Sequence, residues 1–298
     1  MARNARKTGL VVPMVHHNVV EEPIRIISDL HLGHSASLAR NIAQVAPLFR
    51  DVRSVVFNGD TIEMRSERSR ERAQEILHEV QRFCAQQPVT TCFINGNHDP
   101  IISTTNHLEL GEGSLLVTHG DVLFHDSAHV PGRGRAGRRG VRRPKFPQHL
   151  SAAERSTLEQ ILSTNKRVSH AIAFDEFNIP NGAWGQFTTF IRQTWPPRRF
   201  VSMVSNWKDN PGRAVDLVRF YRPQTTCVIV GHTHRPGVWH RHGYHVINTG
   251  SFLPVLGRLA VDYADDVITV RKVIFRRGEF HLGRQVAHFR LPNRIKVA

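Results

Sequence analysis

The sequence predicts an α/β fold: two β-sheets packed face to face, helices on their outer sides, and a basic helical insertion over residues 127–222 covering one face. Three observations predict it. Short apolar runs alternate with helical patterns through the first half of the chain. Five of the apolar runs break off into glycine beside Asp, Asn or His. The alternation stops after Asp126 and resumes near residue 225, so 298 residues read as one domain carrying an insertion rather than as two domains.

The elements come in order. The run PIRIIS reads as a first strand. Leu38, Ile42, Val45 and Phe49 then recur at helical spacing, with Ser35 or Ser37 as the N-cap. SVVFN (54–58) is the second strand. Ala73, Ile76, Leu77, Val80, Phe83 and Cys84 make one apolar stripe of a helix that stops before Pro88, and the charges of ERSRERAQE are its wet side. VTTCFIN (89–95) and SLLVTH (114–119) are strands. Within the insertion, PGRGRAGRRGVRRPK (131–145) is a Gly/Arg loop. Ser151 and Glu154 form a capping box for a helix through Leu158, Ile161 and Leu162, and a second helix carries Trp184, Phe187, Phe190 and Ile191 on one side. TTCVIV (225–230), GVWH, YHVIN and the run from Val267 to Phe275 complete the strands.

Composition narrows the partners. The formal charge of +15 is unevenly spread: residues 127–222 hold 17 Lys+Arg against 6 Asp+Glu, and residues 271–298 hold 8 against 1. A basic middle and a basic tail on an otherwise acidic chain fit anionic partners: phosphorylated substrates, anionic membrane reached through 131–145, or nucleic acid. Arginine-rich solvated faces of a generally basic protein give the same count. The short run GLVVPMV lacks a small-residue cleavage pattern, and no apolar run approaches the ~20 residues of a membrane span. Three cysteines, Cys84, Cys92 and Cys227, without CxxC spacing read as reduced buried thiols of a cytoplasmic protein, peripheral at the inner membrane face if the basic loop meets lipid.

The chemistry lies just past the end of each strand. The first ends in Asp29 and His31, two residues apart and hence on one side of an extended chain. A local Asp–His hydrogen bond or a turn accounts for that pair alone equally well. The second strand gives Asp60, the third Asn97, His98 and Asp99, the next His119, and the run at 225–230 gives His232 and His234. Turn formation explains Asp60 and Asn97, but not three histidines placed just past apolar runs. Ligands of open α/β sheets bind beyond the carboxyl ends of strands, so these groups share one crevice.

As an ordered set, Asp29-Leu-His31, Gly59-Asp60, Gly96-Asn97-His98-Asp99, His119-Gly-Asp121 and Gly231-His232-Thr-His234 resembles the calcineurin-like metallophosphoesterase superfamily. The resemblance covers roughly residues 24–125 and 225–252 and implies a four-layer α-β-β-α metallophosphoesterase sandwich. It implies that Asp29, His31, Asp60 and His234 hold one divalent metal ion and that Asp60, Asn97, His119 and His232 hold a second, with Asp60 bridging. Mixed oxygen and nitrogen ligands suit Mn, with Fe or Zn next, better than Mg or Ca. His98 is then a catalytic proton donor to the leaving oxygen, and Asp99 orients its ring. Asp121 and Asn248 read as supporting or turn residues, and His16, His17, His107, His240, His242 and His245 lie outside any motif.

The expected reaction is metal-dependent hydrolysis of a phosphodiester or diphosphate bond. SDLHLG, HGD with Asp126 shortly after, the helical insertion and GHTHRP look like the UDP-2,3-diacylglucosamine pyrophosphatases. That group has arginine where this chain has His98 in GNHD, a departure that leaves the alternative of a phosphodiesterase or nuclease acting on nucleic acid or nucleotides. A non-catalytic scaffold on this fold ranks last, because no ligand position is missing.

Overall fold

The structure, a computed structural model, describes residues 20–64, 70–127, 157–172, 197–254 and 257–292. The Gly/Arg loop 131–145, the Ser151–Glu154 pair and the helix expected around Trp184–Ile191 lie outside the described residues. In chain order the strands are β1 (Ile24–Ile27), β2 (Ser54–Asn58), β3 (Thr90–Ile94), β4 (His107–Leu110), β5 (Leu115–Thr118), β6 (Cys227–Val230), β7 (Gly237–Arg241), β8 (Tyr244–Asn248), β9 (Leu259–Ala264), β10 (Val267–Arg276) and β11 (Glu279–Arg290). The helices are α1 (Arg70–Ala85), α2 (Leu158–Ile172) and α3 (Pro197–Tyr221), with 3-10 helices at Ile42–Phe49 and Asp121–Ser127.

The strands form two sheets, ordered β11-β10-β9-β1-β2-β3 and β4-β5-β6-β8-β7. β1, β2 and β3 run parallel in the first, and β5, β6 and β8 run parallel in the second. Their sequences are mostly apolar because both faces are covered, as parallel strands require. Alternation assigns the faces. Ile24, Ile26, Val56, Cys92 and Ile94 join Leu115, Val117, Cys227, Ile229 and Ile247 in the core between the sheets. Ile27, Val55, Phe57 and Phe93 turn outward and meet Ile42, Val45, Leu48, Ala73, Ile76 and Val80 of the 3-10 helix and α1. Leu116, Val228, Val230 and Val246 turn outward on the other side, against Leu158 and Leu162 of α2 and Ala214, Val215, Leu217 and Val218 of α3. Three apolar interfaces separate four layers, in the order α-β-β-α. Each fully buried Val, Leu or Ile contributes about 1.5–3 kcal/mol.

The described helices of the 127–222 segment thus form the fourth layer. α2 opens on a reciprocal cap in which Thr157 Oγ1 accepts from the Gln160 amide at 3.2 Å and Gln160 Oε1 accepts from the Thr157 amide at 2.8 Å. The first helical segment begins later than the expected Ser35 or Ser37 cap. Asn41 caps it, accepting from the Gln44 amide at 3.2 Å, while Ser37 Oγ donates to the Leu30 carbonyl at 2.6 Å. Pro47 inside the segment removes a backbone donor, and the turn tightens to a 3-10 helix. Arg25, 2% exposed within β1, donates Nη1 to the carbonyls of Leu48 and Arg50 at that helix's end and grips Asp262 of β9 through Nε and Nη2.

Candidate metal centre

The carboxyl ends of both parallel strand sets open onto one edge of the sandwich, and the loops there carry Asp29, His31, Asp60, Asn97, His98, Asp99, His119, His232 and His234. On one side His234 Nε2 lies 3.2 Å from Asp29 Oδ1 and 3.2 Å from His31 Nε2, while His31 Nε2 lies 3.8 Å from Asp60 Oδ2. On the other, His119 Nε2 is 3.3 Å from Asp60 Oδ2 and 3.0 Å from Asn97 Oδ1, which is also 2.8 Å from His232 Nδ1. Two donor groups result, Asp29-His31-Asp60-His234 and Asp60-His119-His232, each with ligand atoms within 4.8 Å of one another. Asp60 belongs to both.

These loops are strained in a way that aims the side chains. Asp29, His31, Asp60, His232 and His234 all have positive φ, between 48° and 65°. Such left-handed conformations cost of order 1–3 kcal/mol each in a non-glycine residue and persist only where surroundings over-determine them. The surroundings are backbone pairings between loops: Asp29 N–H to the Gly59 carbonyl at 3.0 Å, His31 N–H to the Asp60 carbonyl at 2.9 Å, and Gly231 N–H to the His119 carbonyl at 2.9 Å. Gly59, at φ +81°, faces the His119 ring so closely that a Cβ would sit 2.4 Å from its Nδ1. At Gly96 a Cβ would lie 2.1 Å from Asp60 Oδ1. Glycine in these blocks is therefore a packing requirement of the neighbouring ligand.

Asp99 sits elsewhere than expected. Its buried carboxylate accepts the backbone N–H groups of Asp60 (2.9 Å), Thr61 (2.7 Å), Ile62 (3.2 Å) and Gly96 (2.9 Å), tying the second block to the third. The His98 ring is oriented instead by Glu63, whose Oε2 is 2.7 Å from Nδ1, while Nε2 points toward the centre, 3.9 Å from Asp60 Oδ2. Sequence reasoning missed Glu63 because it belongs to no block. It reaches His98 and His31 through the pairing of its own amide with the Leu32 carbonyl at 2.9 Å. A carboxylate three residues past a strand-end Asp is the single trace of it in the chain.

Outer residues hold the fourth and fifth blocks. Asp121 is buried and accepts from Lys166 Nζ at 2.8 Å and Asn165 Nδ2 at 2.7 Å, so α2 is bolted to the segment after His119. Asn248 Nδ2 donates to the Gly231 carbonyl at 2.7 Å and to Thr233 Oγ1 at 3.0 Å. Trp207 Nε1 of α3 donates to the Thr233 carbonyl at 2.9 Å. Thr233 stands between His232 and His234, so the basic segment directly supports two donors of the centre.

The electrostatics suit divalent cations. Burial opposes ionisation of Asp60, yet His119 and His98 hold it well below the usual carboxylate range. Burial likewise opposes a charged His119, but Asp60 raises it to about 9. Burial and the neighbouring His119 charge push His232 down to about 3, leaving a neutral imidazole. Burial and the Asp60 charge lift Asp99 to about 7. Two buried atoms at the heart of the cluster, Asp60 Oδ2 and His31 Nδ1, have no hydrogen-bond partner among the described residues. Buried polar atoms are rarely left so, and an unpartnered carboxylate oxygen facing three imidazoles fits a bound cation. Cation binding there must displace the His119 proton.

Comparison with known proteins comes from sequence and from fold. The sequence model of the calcineurin-like phosphoesterase family matches residues 22–236. No curated protein matches the chain. Among solved structures, the chain is similar to vacuolar protein sorting 29 of Cryptosporidium parvum (12% identity, 91% of this chain and 100% of that one, TM-score 0.43). It is also similar to a predicted phosphoesterase of Streptococcus pneumoniae TIGR4 (14%, 90% and 97%, TM-score 0.39) and to a dimetal phosphatase of Danio rerio (13%, 91% and 99%, TM-score 0.41).

Proposed function

The chain belongs to the calcineurin-like phosphoesterase family, and on that premise we propose that it is a metal-dependent hydrolase of phosphodiester or diphosphate bonds whose substrate is a nucleotide diphosphate linked to an acylated sugar, similar to UDP-diacylglucosamine. One observation carries the reading of the centre: Asp60 is shared by two donor groups, and its buried Oδ2, ringed by imidazoles, has no hydrogen-bond partner among the described residues. Asp29, His31, Asp60 and His234 would hold one divalent ion, and Asp60, Asn97, His119 and His232 the other. Two such ions would supply an activated water and charge stabilisation for an in-line displacement. Mn²⁺ suits the mixed donor set, with Fe and Zn as alternatives.

The chain's own residues supply the rest. With only two carboxylates, Asp29 and Asp60, among the donors, a bound pair of dications would keep excess positive charge, which would favour a phosphoryl oxygen at the open side of the centre. His98 stands there with Nε2 turned inward and Nδ1 held by Glu63, so a proton on Nε2 would be aimed at the leaving oxygen. Glu63 would stabilise the imidazolium form and fixes the ring plane. Trp207, Asn165 and Lys166 of the 127–222 segment contact the ligand loops, and the segment's sequence holds 17 Lys+Arg against 6 Asp+Glu; together these support an anionic substrate with a bulky apolar part.

A substrate panel tests this: UDP-diacylglucosamine, simpler nucleotide diphosphates, cyclic nucleotides, and single- and double-stranded DNA, each with Mn²⁺. The lipid nucleotide is expected to turn over fastest, with cleavage abolished by chelator. DNA cleavage without hydrolysis of the lipid nucleotide would replace this substrate by the nuclease reading, which GNHD and the basic segment also fit.

A further inference from the structure

The β10–β11 hairpin extends past the rest of its sheet at the edge that bears the metal-binding loops. β9 is antiparallel to β1 and to β10, so β10 runs in the direction of β1 and ends on the side of Asp29. Pairing of β10 with β9 stops at Lys272, opposite Leu259, the first residue of β9. Pairing with β11 continues to Arg276 opposite Glu279. The chain then reverses through Arg277 and Gly278, at φ 52° and 83°, the positive values that a two-residue hairpin loop requires. Residues 273–282 are thus a two-stranded projection beyond the active end of the sheet.

One side of the projection is anchored. Val273 and Phe280 are buried in the core beneath the Ile42–Phe49 helix, and Gln44 Nε2 donates to the Gly278 carbonyl at 3.1 Å. The Phe280 ring meets Phe252 edge-on at 4.8 Å, and the Phe252 amide donates to the Asp29 carbonyl at 3.0 Å. Few contacts separate the projection from a metal-binding loop.

The exposed apolar side chains are spread over both faces, because successive strand residues alternate: Phe275, opposite Phe280, packs on that ring at 4.8 Å on the anchored face, and Ile274 stands on the opposite face. Ile274 is 43% exposed, Phe275 48% and Val286 45%, and these three are the exposed large apolar side chains among the described residues. All three lie on this hairpin. Around them residues 271–290 hold six Lys+Arg and one Asp+Glu. Among the described residues no ion pair involves Arg271, Lys272, Arg276, Arg277 or Arg284. A projecting tip with an exposed apolar side chain on each face and unpaired cations around it complements a surface that is anionic outside and apolar just beneath. Nucleic acid would satisfy the cations and leave the Ile274 side chain wet; an anionic bilayer satisfies both.

We propose that the β10–β11 tip seats the protein on an anionic lipid bilayer, with Ile274 and Phe275 entering the interfacial layer and Lys272, Arg276 and Arg277 engaging headgroup phosphates, so that the metal-bearing edge faces the membrane. The proposal is independent of which phosphoryl bond the centre cleaves.

Vesicle sedimentation of the full chain tests it, using phosphatidylcholine alone and phosphatidylcholine mixed with phosphatidylglycerol. The wild type is expected to sediment with the anionic vesicles and little with the neutral ones. Ile274→Ser with Phe275→Ser should lower that partition by about tenfold or more, and Arg276→Glu with Arg277→Glu by at least as much. Both variants should hydrolyse a soluble aryl phosphodiester as the wild type does, since these side chains are exposed and outside the centre. In a Phe275→Trp variant, added indole emission quenched by lipids brominated near the headgroup end of the chain would report insertion directly. Equal sedimentation with neutral and anionic vesicles, wild-type sedimentation of either double variant, or an unquenched indole overturns the proposal. So does salt-sensitive DNA binding lost in the arginine variant without any vesicle binding, which would assign the surface to nucleic acid.

Discussion

Glu63 Oε2 lies 2.7 Å from Nδ1 of His98, and this contact decides which nitrogen of His98 faces the chemistry. With Nδ1 committed to the carboxylate, Nε2 is the atom presented to a leaving group. A proton donor matters most when the leaving group is a poor one. His98→Ala is therefore expected to keep its metal and to lose ~10²–10⁴ in kcat on an alkyl phosphodiester, with a much smaller loss on a 4-nitrophenyl diester. Glu63→Gln should show the same leaving-group dependence with a smaller loss. Equal losses on both substrates, or loss of metal from His98→Ala, would remove the acid role.

Asp60 is the single residue whose loss touches both donor groups. Asp60→Ala should reduce bound metal, measured by elemental analysis after desalting, from two ions per chain to below one. His119→Ala should leave the Asp29-His31-Asp60-His234 group intact and retain about one. If Asp60→Ala retains both ions, the carboxylate does not bridge. Rates need not be compared for this test, because metal content reads the ligand assignment alone.

Asp99 makes its contribution through the backbone. Its carboxylate accepts four main-chain N–H groups, and Asp99→Asn replaces one acceptor oxygen by an NH₂ that faces donors. Hydrogen bonds to a charged group contribute about 1.5–3 kcal/mol each, and Asp99, lifted to about 7, is such a group at pH 8, where the comparison is made. The substitution should cost about 3 kcal/mol or more and lower Tm by roughly 5–10 °C, with metal affinity falling in parallel as the Asp60 loop loosens. A variant with wild-type Tm and metal affinity but reduced kcat would restore a direct catalytic role for Asp99.

The strand-end residues were legible because a covered parallel strand must be mostly apolar, and its end is then marked by the polar residue that follows. Asp29, Asp60, Asn97, His119 and His232 all sit at such ends. β4, β9 and β11 were not legible for the same physical reason in reverse. HLEL of β4 and the long β11 lie at sheet edges, where only part of a strand is covered and charged or glycine residues interrupt the alternation. β9 lies inside its sheet, but Asp262, which pairs with Arg25, interrupts its apolar run, and it is recognisable mainly through the Asp265-Asp266 turn that follows, both at positive φ. The Arg25–Asp262 pair and Glu63 depend on approaches of segments distant in sequence or loop pairing, which no local period records. The Asn41 cap was hidden because Leu38 extends the apolar spacing upstream, whereas Ser37 spends its hydroxyl on the Leu30 carbonyl and the helix starts only after Asn41.

Thr233 carries the last prediction. It is flanked by His232 and His234, at φ 65° and 58°, and both strained residues owe their direction to what holds the residue between them. The Thr233 carbonyl accepts from Trp207 Nε1 at 2.9 Å, and its Oγ1 is met by Asn248 Nδ2 at 3.0 Å and Asn210 Nδ2 at 3.5 Å. Trp207→Phe keeps an aromatic ring but removes the indole donor, at a cost of about 1–3 kcal/mol if the carbonyl stays dry. Because 1.4 kcal/mol is tenfold in a binding constant, metal affinity measured by chelator competition should fall about tenfold. At saturating metal, kcat on a soluble diester should return close to wild type, since the donors themselves are unchanged. Unchanged metal affinity with a raised KM for the lipid nucleotide would instead place the indole against substrate, and the link between α3 and the ligand loop would then be one of binding rather than support.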